Sequence, residues 1–140
     1  MIFTVPGSTE DGTRQAYLMG AGLLAMGVLH FAAPRGFDSI IPAEIPVPAR
    51  SLTYASGAVE LAVGLGLLAP ATRRMSALAA VALFVAVFPA NVNTVRVVMD
   101  KPLVYRLVAL ARLPLQLPLI TTAWQVFTRS AGSPLAAVPR

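Results

Sequence analysis

Between Arg50 and Arg73 the chain carries one formal charge, the carboxylate of Glu60. The apolar stretch around it, 52–71, is long enough to cross a hydrocarbon core of roughly 30 Å, which takes about 20 residues as a helix. A carboxylate inside such a span costs on the order of 2.5–3.5 kcal/mol on insertion scales. The chain must therefore surround Glu60 with other helices and offer it a polar partner.

Three further apolar stretches serve as those helices, at 16–34, 75–96 and 103–127. The 140 residues are 56% hydrophobic and only 12% charged, about half the roughly 25% usual for soluble proteins. With a mean hydropathy of +0.72, a soluble domain would lack the polar surface to cover itself. The expected fold is all-α, a single membrane domain over 1–140 built as an up-down-up-down four-helix bundle in the lipid bilayer of the cell membrane. Residues 35–51 form the longest connection, and three prolines within seven residues argue against regular helix there. Its Ile40, Ile41, Ile45 and Val47 suit a segment lying at the interface or capping the bundle, with Asp38 and Glu44 read as solvated. The first residues show no basic start followed by an apolar core, so they do not read as a cleavable signal peptide. The tail from Thr128 onward reads as short and frayed.

The net charge of +5 is dispersed between the spans rather than clustered, which excludes a nucleic-acid surface and fits membrane-flanking charge. Arg73-Arg74, in a tight turn after the second span, reads as a topology signal. An even count of basic residues on the two sides leaves orientation to that short loop, which places both termini in the cytoplasm. The absence of cysteine removes thiol exchange, thiolate metal sites and iron–sulfur clusters, and a single histidine removes bis-His haem ligation. No metal site is expected.

In an up-down-up-down bundle, His30, Glu60, Asn91 and Arg112 fall at similar depths, roughly 6–14 Å below one boundary at about 1.5 Å per residue. The polar groups thus gather in one leaflet. Glu60 and Arg112 form the expected pair, because a guanidinium fork matches a carboxylate and neither charge is tolerable alone in hydrocarbon. Ser56 lies one turn before Glu60 and Gln116 one turn after Arg112, so each supports its charged neighbour. His30 and Asn91 complete the network; Asn93 points to a different face from Asn91. Gly20 and Gly27 share a stripe with His30, and Gly57 and Gly64 lie near Glu60, where helices can approach closely. Pro114 and Pro118 should kink the fourth helix. One reading of the cluster is a buried salt bridge fixing helix register; the other is a small ligand pocket.

The landmarks G-V-L-H-F-A-A-P (27–34), S-G-A-V-E-L-A-V-G-L-G-L-L (56–68), P-A-T-R-R (70–74), V-F-P-A-N (87–91) and R-L-P-L-Q (112–116) occur in an order that resembles the DoxX-type family of small four-helix membrane proteins. The resemblance covers about 27–116. It implies a membrane protein associated with redox systems, some relatives being subunits of quinone-reducing, sulfur-oxidising enzymes, and a structural or ligand role for His30, Glu60, Asn91 and Arg112. It carries no catalytic residue, and the thiol chemistry of some relatives has no cysteine to use here.

The favoured expectation is a redox-associated subunit, non-catalytic on its own, whose polar site (His30, Ser56, Glu60, Asn91, Arg112, Gln116) takes a quinone-like or other small ligand. Its partners would be other membrane redox subunits or further copies of itself. The alternative is a non-enzymatic scaffold or assembly subunit. A proton-coupled carrier ranks third, because a pathway needs polar groups through both leaflets.

Overall fold

The computed structural model describes residues 8–130. The readings made above for the first seven residues, and for the tail beyond Ser130, lie outside them. The described chain is all helical, with no strand among those residues: α1 (Ser8–Ala32), α2 (Pro34–Asp38), α3 (Ala49–Leu68), α4 (Pro70–Ala86), α5 (Phe88–Val97) and α6 (Leu103–Arg129). Taking α4 and α5 together, four helical stretches are long and apolar enough to cross a membrane. The helices overrun the apolar stretches read from sequence. Hydropathy marks the greasy part of a helix, whereas α1 begins in the polar residues before Ala16 and α6 runs on to Arg129.

α1 and α3 make the closest pair. A Cβ placed on Gly20 would lie 2.9 Å from the carbonyl oxygen of Gly64, and one on Gly57 would lie 2.7 Å from the Cβ of His30. Gly27 meets Leu61 and the Gly57 carbonyl in the same way. Residue numbers run in opposite directions along this contact, so the two helices are antiparallel. Two glycines seven apart on each helix supply the groove, because only a missing side chain lets backbones come this near.

The core lies where α1, α3, α4 and α6 converge. Ala16 and Leu23, Val63 and Leu67, Ala77, Ala80 and Phe84, and Ala123 and Val126 pack there. Much of the outward surface is apolar, including Leu18, Leu65, Met75, Val104 and Leu117, all more than half exposed.

Prolines punctuate the third stretch and not the fourth. α4 gives way at Val87, and α5 restarts with Pro89 in its first turn, where a missing N–H is harmless. Pro114 and Pro118 sit inside α6, which continues through both.

Two sequence expectations change. The connection 35–51 is not wholly irregular: Pro34 opens the short helix α2, since proline suits a first helical position, and α3 begins at Ala49, so the three prolines fall between the two helices. Arg73 and Arg74 are not in a loop: only Ala69 separates α3 from α4, so both lie in the first two turns of α4. Arg73 is buried and folds back on the end of α3, donating to the carbonyls of Leu67 (2.9 Å) and Leu68 (3.3 Å) and to Thr13 Oγ1 (3.4 Å). These are orphan carbonyls of a helix C-terminus, which a cation satisfies well. Its guanidinium also lies 5.2 Å from the centre of the Tyr17 ring.

Candidate functional site

Towards the end of the molecule opposite Arg73, the helices line a half-open cavity of about 630 Å³. His30, Ser56, Glu60, Asn91, Arg112 and Gln116, the six residues singled out from sequence, all line it. Its other walls are apolar, with Leu23, Met26, Leu83, Phe84 and Leu119 among them.

The connection after α1 roofs this cavity. Phe37 stacks on the His30 ring with centroids 3.7 Å apart, and Ile40, Ile41 and Ile45 face inward. Two clasps hold the roof down. Asp38 accepts from Arg50 (2.7 and 2.8 Å) and from the Thr53 hydroxyl (2.7 Å) at the start of α3. On the other side Asn93 donates to the Ile40 carbonyl at 3.0 Å, while exposed Arg96 approaches Glu44 at 3.4 Å. Asp38 is thus a clasp rather than a solvated charge: the Arg50 hydrogen bond, then that of Thr53, holds its carboxyl below the usual aspartate range.

The expected Glu60–Arg112 pair does not form. Glu60 instead faces His30, with Nδ1 3.0 Å from Oε2, and both side chains are about nine-tenths buried. The reason is local geometry. Helical side chains lean towards their own N-terminus, so His30 reaches back along α1 to the level of Met26, and the antiparallel glycine contact brings Glu60 to that level. The Met26 carbonyl lies 2.8 Å from Nδ1. A carbonyl can only accept, so Nδ1 must carry the proton. Glu60 Oε2, 3.0 Å from that same N–H, is therefore an acceptor too. The N–H points at Met26, and Oε2 is left close to its positive end but without an aligned hydrogen bond.

Arg112 has a different partner. Its Nη2 donates to Asn91 Oδ1 (3.2 Å), Asn91 Nδ2 donates to Gln116 Oε1 (3.0 Å), and Gln116 Nε2 donates to the Phe84 carbonyl in the last turn of α4. A guanidinium only donates and a carbonyl only accepts, so the direction of both amides is fixed along the relay. Asn91 and Gln116 are buried, whereas Arg112 is exposed at the cavity wall. The relay ties α6 to the broken third stretch at the break itself. Ser56 lines the cavity beside Glu60.

Sequence reasoning missed the roof clasp and the role of Phe37. The bracketing of 39–48 by Asp38 and Arg50 was the available signal, since opposite charges at the two ends of a proline-rich loop can close it.

The pattern of the family described as a domain of unknown function, DUF8561, matches residues 19–127. This is most of the chain, so the protein belongs to that family, and the matched region contains all six polar residues singled out from sequence. Neither curated proteins nor solved structures yield a match.

Proposed function

We propose that this member of the DUF8561 family is a four-span, up-down-up-down membrane protein of the cell membrane that holds a quinone-like ligand in its roofed cavity. In this reading it is similar in role to DoxX-type redox-associated subunits and has no catalysis of its own. The observation that carries the reading is the cavity itself: an apolar chamber of about 630 Å³ with its polar groups at one end. Ligand pockets of this kind, mostly apolar with a few convergent polar groups, commonly span roughly 300–1,000 Å³. A ring with oxygen substituents and an apolar tail matches that division. Arg112 has further N–H groups beyond the one given to Asn91, and these suit an oxygen acceptor.

Protein purified from membranes in mild detergent should retain such a ligand, detectable by mass spectrometry of an organic extract. Arg112→Ala should release most of it while helical content persists, because an exposed side chain leaves no core void. Recovery of phospholipid alone from the wild type would sink the reading.

The bundle reading places Arg14 on the cytoplasmic face and the roof on the other. The chain has no cysteine, so single introduced thiols report position cleanly. In intact cells Ala43→Cys should react with an impermeant maleimide, and Arg14→Cys only after permeabilisation. Labelling of both from the same side is incompatible with four spans.

A scaffold role is the second reading. Its support is α6, which buries a smaller share of its apolar window than the other three long stretches and so offers a face to another subunit or another copy. Stable co-purification with a membrane partner, lost on substituting that face but unaffected by Arg112→Ala, would favour it.

A further inference from the structure

The cavity has two polar sides of opposite hydrogen-bonding sense. Arg112 can only donate, since a guanidinium carries N–H groups and no acceptor. The His30–Glu60 side always offers an acceptor. Nδ1–H is committed to the Met26 carbonyl, and Oε2, facing that N–H, accepts whether or not the other carboxyl oxygen carries a proton. When the imidazole is neutral, Nε2 adds a second lone pair. When it is charged, the carboxylate that balances it accepts at both oxygens. Among the described residues no aligned hydrogen-bond donor reaches Glu60: Oε2 is buried 3.0 Å from Nδ1 of His30 without an aligned hydrogen bond. Ser56, one turn away on the same cavity wall, adds a hydroxyl that can serve either sense.

A buried acceptor with no donor is costly, and a ligand that brings the donor removes that cost. We infer that the cavity takes the reduced, hydroxyl-bearing form of its ligand, a hydroquinone or comparable apolar-tailed phenol, in preference to the oxidised dicarbonyl. The inference rests on the quinone-type reading above. A phenolic hydroxyl both donates and accepts, so one can give its proton to the Glu60–His30 acceptors while another oxygen accepts from Arg112. A quinone accepts at both ends and has no proton to give to the Glu60–His30 acceptors. The discrimination is one of binding, and no electron transfer within this chain is involved.

Equilibrium dialysis of the detergent-solubilised protein, kept anaerobic, tests this with a short-tailed benzoquinone and its dithionite-reduced hydroquinone. The wild type should bind the hydroquinone about tenfold more tightly, the scale of one hydrogen bond to a buried polar group. Glu60→Gln keeps the side-chain shape but adds an amide donor, and should bring the ratio to near one or reverse it. Arg112→Ala should weaken both forms by similar factors and leave the ratio in place, which separates a donor used by either form from an acceptor used by one. If Glu60→Gln fails to fold, the wild-type ratio and its persistence in Arg112→Ala still decide. Equal binding, or tighter binding of the quinone, by the wild type overturns the inference and leaves the ligand class standing. Binding of neither form overturns the ligand class, and the inference with it.

Discussion

Replacing Gly64 by leucine is expected to destabilise the protein by about 3 kcal/mol or more, at or above the top of the usual range for overpacking. Even the first added carbon has nowhere to go. A Cβ at this position lies 2.9 Å from the Gly20 carbonyl oxygen, 2.9 Å from Leu24 Cγ and 3.1 Å from the Leu24 backbone nitrogen. Two of those three atoms belong to the backbone of α1, which cannot rotate aside as a side chain can. The remaining carbons of leucine must push α1 off α3, and the Gly27–Gly57 contact two turns away opens with it. Gly22 supplies the control, because nothing lies within 4 Å of a Cβ built there. Gly22→Ala should be neutral or stabilising by up to about 1 kcal/mol through helix propensity. Thermal midpoints in detergent measure both. A Gly64→Leu protein that melts with the wild type would mean that the two helices do not meet through their glycines.

The same glycines show how much of the fold is legible in the sequence. The four apolar stretches follow from hydropathy, and the two glycine pairs follow from seven-residue spacing, since a groove needs a stripe. The break at Val87 is foreshadowed by Pro89, whereas Pro114 and Pro118 carry the same signal and do not end α6. Depth along a helix axis is legible because it needs only a count of residues, so all six polar residues were placed at one end. Which helices are neighbours is a different quantity, and counting does not supply it. Charge alone pairs Glu60 with Arg112; what decides the partner is that α3 presents Glu60 to α1. A usable signal did exist in Gly27 and Gly57, each three residues before His30 and Glu60. If the two glycines touch, both polar side chains stand beside one contact. Arg73 failed for a related reason: a pair of arginines after an apolar span reads as a flanking charge, and only the one-residue link between α3 and α4 turns it back onto the Leu67 carbonyl.

His30→Leu is expected to be the costliest substitution at the cavity, about 1–3 kcal/mol, because it leaves the buried carboxyl of Glu60 facing apolar groups. Removing the other partner should cost less. In Glu60→Leu the imidazole keeps its hydrogen bond to the Met26 carbonyl and its stacking on Phe37, so no charge is stranded. The double variant His30→Leu/Glu60→Leu should recover most of the loss, since a buried polar pair replaced by apolar groups of similar size is often neutral or better. The coupling energy, from the four thermal or denaturant midpoints, should therefore be large and of the sign that makes the double variant more stable than the sum of the singles. A ligand preference that relies on Glu60 as an acceptor is lost in both variants lacking Glu60, whatever their stability, so binding and folding report on different halves of the same contact. Additive single losses, with the double variant as unstable as their sum, would mean that each side chain is held by something other than its partner.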